Sequence, residues 1–221
     1  MRGLAFMAAC SVPLATSAAM AADVGTGTLR ELHAVAACVV EQKPALVADL
    51  LSTLPGSDRE ARAADRLAAV YTACSDNKFK LAISKYSQGL YNGRSSLAAA
   101  AALAAMDRRT IDPSRIRDVH VWYANTVVGR APGNDYSAAA LAAQEFGTCV
   151  VKAAPDSAVQ LLRLKAGSAE ERQPLSAIMS VLPGCIFSGK PVSMKRDQIR
   201  LMIAEPLYHA IVAGPLAGRR S

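Results

Sequence analysis

The stretch VAACVVEQKPALVADLLSTLPGSDREARAADRLAAVYTAC, residues 35–74, decides the fold, because the chain repeats its pattern as FGTCVVKAAPDSAVQLLRLKAGSAEERQPLSAIMSVLPGC, residues 146–185. Aligned without a gap at an offset of 111 residues, the stretches match at 11 of 40 positions, none of them a pair of alanines. The matches are Cys38/Cys149, Val39/Val150, Val40/Val151, Pro44/Pro155, Leu50/Leu161, Leu51/Leu162, Gly56/Gly167, Ser57/Ser168, Glu60/Glu171, Val70/Val181 and Cys74/Cys185. The chain is therefore predicted to contain an internal duplication.

Each copy holds two cysteines 36 residues apart, Cys38 and Cys74 in the first and Cys149 and Cys185 in the second. A unit that arose once with its own cross-link keeps it when it is copied. A bridge such as Cys38–Cys149 would instead join equivalent positions of two units, and no single ancestor could have held it. We therefore predict the disulfides Cys38–Cys74 and Cys149–Cys185.

Residues 1–21 have the pattern of a cleaved signal peptide. Arg2 provides the positive start, residues 3–14 are largely apolar, and Ala19-Met20-Ala21 fits a cleavage site. The apolar stretch is too short and too interrupted for a membrane anchor. Because disulfides form in oxidising compartments, the cysteines agree with export. We expect a periplasmic or secreted protein that does not span a membrane.

An all-α fold is predicted, because alanine dominates the composition and runs of alternating β-branched residues are nearly absent. Each half is expected to contain helices in the same order. The first runs over residues 28–42 or 137–153 and stops at Pro44 or Pro155, since proline breaks a continuing helix. A short second helix is expected to end near Gly56 or Gly167, the residue type that favours a left-handed helix stop.

The motifs Ser57-x-x-Glu60 and Ser168-x-x-Glu171 predict the start of a third helix in each half, with the hydroxyl and carboxylate capping backbone amides. Pro183-Gly184 suggests that the third helix of the second half frays just before its cysteine. The apolar spacing predicts one buried face per helix, made of Leu67, Val70, Tyr71 and Cys74 or of Ile178, Val181, Leu182 and Cys185.

Beyond the second cysteines the halves align only with a gap, which pairs Arg94–Leu97 with Arg196–Ile199 at an offset of 102. This alignment makes residues 77–93 an expanded loop and places an alanine helix, 97–105, at a close helix contact. The predicted organisation is two tandem, structurally similar helical units, 22–110 and 137–221, each stapled by one disulfide. A connecting segment, 111–136, carries Trp122 and is expected to pack between them.

Motifs that would indicate a cofactor or a metal are missing. The sequence has no C-x-x-C and no H-E-x-x-H, and its histidines, His33, His120 and His209, are isolated. The net charge of +7 is scattered and aromatic residues are few, which does not indicate nucleic-acid binding. An anionic envelope component or another periplasmic protein remains open as the partner.

One polar group stands out in the last predicted helix. Glu205 lies in an apolar stretch near Tyr208, with Arg196 and Arg200 upstream. These four residues are the speculative binding or catalytic group, and a structural ion pair between Glu205 and Arg200 is the other interpretation. The first copy is expected to place Leu103 at the Glu205 position. The one charged residue that the aligned copies share, Glu60/Glu171, is assigned a capping role only.

Three motifs, CVVEQKP at 38–44, LLSTLPGS at 50–57 and IRLMIAEPLY at 199–208, resemble uncharacterised exported, alanine-rich proteins of sphingomonad-like alphaproteobacteria. The resemblance implies no activity and no functional residues. We expect an exported helical interaction or scaffold protein rather than an enzyme. The alternatives are a carrier of a hydrophobic or amphipathic ligand and an envelope hydrolase that uses Glu205.

Overall fold

The computed structural model is all-α, as predicted, and describes residues 26–75, 88–108, 111, 116, 122–123, 138–186 and 194–212. These residues form eight α-helices and one 3-10 turn, with no strand among them. The helices are α1 (Thr26–Gln42), α2 (Pro44–Leu51), α3 (Asp58–Cys74), α4 (Gln88–Arg108), α5 (Ala138–Ala153), α6 (Pro155–Arg163), α7 (Arg172–Cys185) and α8 (Arg196–Val212).

Both predicted disulfides are confirmed. Cys38–Cys74 joins α1 to α3 with the two Cα atoms 5.9 Å apart, and Cys149–Cys185 joins α5 to α7 at 5.6 Å. Each bridge therefore ties the first and third helices of its own half, and both close loops of the same length.

Prolines separate the first and second helices of each half, as predicted. Pro44 is the first residue of α2 and Pro155 is the first residue of α6. Proline suits this position because its missing amide would have no intrahelical partner there and its fixed φ is helical.

The two glycines that the aligned sequence stretches share adopt the left-handed conformation, with φ of 82° at Gly56 and 75° at Gly167. They do not stop the second helices, which end earlier, at Leu51 and Arg163. Each glycine instead precedes the third helix and donates its amide to a carboxylate four residues on. The distances are 2.6 Å to Glu60 Oε2 and 3.0 Å to Glu171 Oε2.

The two third helices begin differently. In α3 the Ser57 hydroxyl accepts a hydrogen bond from the Glu60 amide at 3.2 Å, as predicted. Ser168 makes no such bond to the backbone, and a 3-10 turn, Ala169–Glu171, precedes α7. The capping prediction is therefore right for the first half and wrong for the hydroxyl of the second.

Two further boundaries differ from expectation. Helix α4 begins at Gln88, so the end of the predicted 77–93 loop is helical, while residues 76–87 lie outside the described part. Helix α7 continues through Pro183 to Cys185 instead of fraying. Pro183 is exposed, and the disulfide holds Cys185 against α5.

Helices α4 and α8 form the most extensive contact among the described elements, with α1 on the outer side of α4 and α5 on the outer side of α8. One apolar cluster draws residues from all eight helices, so the halves share a core. Ala98 and Ala102 are fully buried in α4, which agrees with the predicted close contact of the alanine helix. Helices α5 and α8 approach so closely that a Cβ at Gly147 would lie 2.1 Å from the Met202 carbonyl oxygen.

Part of the connecting segment packs between the halves, as predicted for Trp122. The Tyr123 hydroxyl donates to the Leu141 carbonyl at 2.8 Å, and the two residues cluster with Leu54 of the first half. Trp122 packs partly buried against that cluster. Of the described helices, none has the length and apolar character that crossing a membrane requires.

Candidate functional site

The most heavily bonded polar side chain described is Arg94 of α4, which is only 3% exposed. Its Nη1 donates to Glu60 Oε1 at 2.8 Å. Its Nε donates to both carboxylate oxygens of Glu205, at 3.0 and 2.9 Å, and Nη2 donates to Oε1 of the same carboxylate at 2.5 Å. One guanidinium thus binds a carboxylate from each half of the chain.

Arg94 also closes the end of α2. Its guanidinium donates to the carbonyls of Leu50, Leu51 and Thr53, at 3.1, 3.2 and 2.9 Å. The last carbonyls of a helix have no partner within the helix, so buried ones need donors from elsewhere. We call Arg94 with Glu60, Glu205 and these carbonyls the first arginine centre.

Glu205 is fixed and ionised in this centre. Gln144 of α5 donates to its Oε2 at 2.5 Å. Burial by itself raises the pKa of Glu205, but the positive Arg94 beside it outweighs burial, and the pKa falls to about 2. A buried, permanently charged carboxylate has no proton to donate near neutral pH. This geometry does not suit the general acid that a hydrolase would need.

Aromatic side chains cover the outer side of the first centre. His209, one turn after Glu205, holds Nε2 at 3.6 Å from Glu205 Oε1, which is too long for a hydrogen bond. The Trp122 ring stacks on the His209 ring with centroids 4.5 Å apart and planes 24° from parallel. Trp122, which is partly buried, therefore covers this side of the centre.

A second arginine centre forms around Arg200 of α8. Its Nη2 donates to Glu171 Oε1 at 2.6 Å and to the Leu164 carbonyl at 2.8 Å, and its Nη1 donates to the Leu162 carbonyl at 3.2 Å. Among the described residues, its Nε has no partner. Arg200 thus holds one carboxylate where Arg94 holds two.

The bonds correct the sequence alignment of the last helices. When the halves are aligned on Glu60 and Glu171, each of which pairs with a buried arginine, Arg94 aligns with Arg200, at an offset of 106, and not with Arg196. Ala99, rather than Leu103, then corresponds to Glu205. The expectation that Glu205 pairs with Arg200 is wrong, because Glu205 pairs with Arg94 and Arg200 pairs with Glu171.

His33 of α1 lies beside the second centre. Burial lowers the pKa of His33 and the nearby Arg200 guanidinium lowers it further, to about 4, so the imidazole is neutral at pH 7. Its Nε2 is buried, and no described group bonds to it. A buried ring nitrogen without a partner is uncommon and calls for an explanation.

A depression of about 300 Å³ opens to solvent between α1 and α4, with His33 and Ala99 on its wall. Most of the wall is apolar, and three charged residues, Glu41, Asp107 and Arg108, also line it. We call it the α1–α4 depression. The remaining lining residues are Ala37, Val40, Ala100, Leu103 and Ala104.

A second depression, of about 390 Å³, lies between α7 and the start of α8. Exposed Arg172 and Arg196 line it together with Met179, whose side chain is 52% exposed, and Met194. Leu175, Ser176 and Ile199 complete its wall. We call it the α7–α8 depression.

The four residues nominated from the sequence do not form one site. Arg196 lines the α7–α8 depression, whereas Arg200 and Glu205 belong to two different buried centres. Tyr208 is 7% exposed, and its ring meets the His209 ring edge-on at 5.1 Å. Sequence reasoning missed Arg94, because its spacing of 34 residues from Glu60 differs from the 29 residues that separate Arg200 from Glu171.

Neither metal ligation nor similarity to known proteins assigns a role. Across the described helices and turns, no group of three His, Cys, Asp or Glu side chains is placed to hold a metal ion. Comparison with protein-family models, curated proteins and solved structures finds no match for the chain. The function must therefore be argued from the surface and the two centres.

Proposed function

We propose that this chain is an exported helical interaction module and that its docking surface is the α7–α8 depression. The proposed partner is another envelope protein that presents an acidic segment with apolar side chains. One observation carries this proposal. Exposed Arg172 and Met179 of α7, the helix that the disulfide anchors, line the same depression as exposed Arg196 of α8. Export itself is supported by the leader pattern at residues 1–21 and by the two disulfides.

Charge favours an acidic partner. Within the described part of the chain, neither Arg172 nor Arg196 forms an ion pair, so both guanidiniums are available to carboxylates. Arginine presents a planar fork of donors that matches a carboxylate and loses less hydration than lysine on burial. Arginine is accordingly enriched among the residues that dominate binding energy at interfaces.

The apolar part of the surface favours a partner side chain over a simple ion. Met179 and Met194 are flexible and polarisable, and such side chains fill irregular gaps against many shapes. Leu175 and Ile199 also line the depression and are buried in the shared core. Buried apolar residues beside adaptable methionines suit docking of a bulky apolar side chain flanked by acids.

Site-specific crosslinking tests the proposal directly. A photoreactive residue placed at Met179 in the native envelope should yield one dominant crosslinked protein. The same residue at Ala69, which is exposed on α3, should not yield it. The crosslinked protein is then purified and its affinity is measured at two salt concentrations, because contacts between exposed charges weaken with salt.

Charge reversal supplies the matched control. The double variant Arg172→Glu, Arg196→Glu should weaken the complex at least about tenfold, about 1.4 kcal/mol. The double variant Arg59→Glu, Arg62→Glu, which reverses two exposed arginines on α3, should bind normally. Equal binding by both double variants, or equal labelling from positions 179 and 69, would show that the docking surface lies elsewhere.

A further inference from the structure

The α1–α4 depression lies beside the second arginine centre, at the place where side chains of the protein itself complete the first centre. At an offset of 111, His33 corresponds to Gln144, which bonds Glu205. At the offset of 106 fixed by the two arginines, Ala99 corresponds to Glu205 and Leu103 to His209. Three residues that line the depression, His33, Ala99 and Leu103, thus align with Gln144, Glu205 and His209, which lie at the centre around Arg94.

Two groups found at the first centre have no counterpart at the second. The Glu205 carboxylate, which takes Nε and Nη2 of Arg94, is replaced by the methyl group of Ala99. The Trp122 ring, which stacks on His209 and closes the first centre, is replaced beside Leu103 by the open depression. Among the described residues, the second centre therefore lacks a second carboxylate and an aromatic ring that covers it.

In the part of the chain that the structure describes, two polar groups near the second centre lack hydrogen-bond partners, which also indicates that a polar ligand group belongs there. Within the described structure, the His33 Nε2 is buried without a partner and the Arg200 Nε makes no hydrogen bond. Leu29, one turn before His33 in α1, packs with Leu201, the residue after Arg200 in α8, so the two groups lie in the same region of the fold. Both offer polar hydrogens or positive potential to an anion placed beside Ala99.

We propose that the α1–α4 depression binds a small monocarboxylic acid with a flat apolar ring, with its carboxylate beside His33 and Arg200 and its ring against Leu103. A single negative charge is specified, because Glu41 and Asp107 line the same depression, outnumber its one lining arginine, Arg108, and repel a second charge. Each of these acids lies eight residues along its helix from His33 or Ala99, which is about 12 Å. This site is separate from the α7–α8 depression and does not rest on the proposed function.

The test uses phenylacetate and its uncharged analogue phenylacetamide on the mature, disulfide-bonded protein. Backbone amide chemical shifts are followed by NMR during titration to about 10 mM ligand, a concentration that detects even millimolar affinity. Phenylacetate should shift amides along 33–41 and 99–108 in a saturable way. Phenylacetamide should bind at least about tenfold more weakly, because it has the same ring without the charge.

Two variants locate the carboxylate. Ala99→Glu supplies a carboxylate from the chain itself, as Glu205 does at the first centre, and should abolish phenylacetate binding. Ala69→Glu adds the same charge to the exposed face of α3 and should bind as the parent does. His33→Leu removes the imidazole and should weaken binding at least about tenfold, which keeps the test decisive if Ala99→Glu does not fold.

Several results would overturn the inference. They are equal affinity for the acid and the amide, undiminished binding by folded Ala99→Glu or by His33→Leu, and no saturable shift with phenylacetate at the top of the titration. Shifts confined to residues around Arg172 and Arg196 would also refute it, since the anion would then occupy the α7–α8 depression.

Discussion

Replacement of Arg94 by leucine should destabilise this protein more than replacement of any other arginine described in the structure. The substitution removes the donor for two buried carboxylates, Glu60 and Glu205, and for three carbonyls at the end of α2. Removing one partner of a buried ion pair costs about 3–5 kcal/mol, because the other charge stays buried and uncompensated. Since two carboxylates are left, we expect a loss of at least about 5 kcal/mol, close to the whole stability of many domains.

The chain contains its own reference for this experiment. Arg200→Leu removes a guanidinium that is equally buried but holds one carboxylate and two carbonyls, so its cost should fall within about 3–5 kcal/mol. Arg66, which pairs with Asp49 on the surface, gives the exposed limit, and Arg66→Leu should cost no more than about 1 kcal/mol.

The free energy of unfolding is measured by urea titration at pH 7 without reductant, with circular dichroism at 222 nm as the signal. The expected order of destabilisation is Arg94→Leu, then Arg200→Leu, then Arg66→Leu. Adding Glu205→Gln to Arg94→Leu should recover part of the loss, because it removes one uncompensated charge. If Arg94→Leu costs no more than Arg200→Leu, the second carboxylate does not contribute to stability as argued.

The remaining predictions concern acid, close packing and the disulfides. Stability should fall as pH drops from 6.5 to 4, because His33 binds a proton in the unfolded chain before it can in the folded one, and the full difference is about 3 kcal/mol. In pH-dependent urea titrations His33→Leu should flatten that slope, and an unchanged slope would assign it to other groups. Gly147→Ala should lower the melting temperature, since its Cβ meets the α8 carbonyl, whereas Gly184→Ala, which meets nothing within 4 Å, should not. Replacing Cys149 and Cys185 by serine should lower the free energy of unfolding by about 4 kcal/mol in urea titrations, because the bridge restricts the unfolded chain by closing a long loop. A decrease below about 1 kcal/mol would contradict this explanation.

Local sequence signals predicted the frame of the fold and most of its boundaries. Pro44, Pro155 and Ser57 act on backbone groups within a few residues, so their effect can be read without knowing the rest of the structure. The cysteine pairing was inferred from the predicted duplication, which restricts the bridges to partners within one copy. Both kinds of inference need no long-range packing.

The two arginine centres could not be predicted from local sequence signals. Arg94 meets Glu205 across 111 residues, and the gap between the aligned halves hid its correspondence with Arg200. Glu60 was assigned to capping because that role is visible within four residues, while its bond to Arg94 depends on where α4 packs. The α7–α8 depression depends likewise on two helices that meet only in the folded chain.

The bond that Arg94 makes to Glu205 bears on the order in which the fold is completed. The first half is synthesised first and can close its own disulfide, yet its central guanidinium has only one of its two carboxylates at that stage. Glu205 lies in α8, the last described helix, so the buried charge stays under-compensated and the inner face of α4 stays uncovered until that helix is in place. Each disulfide ties only the helices of its own half, and the first arginine centre therefore makes completion of the first half depend on the second.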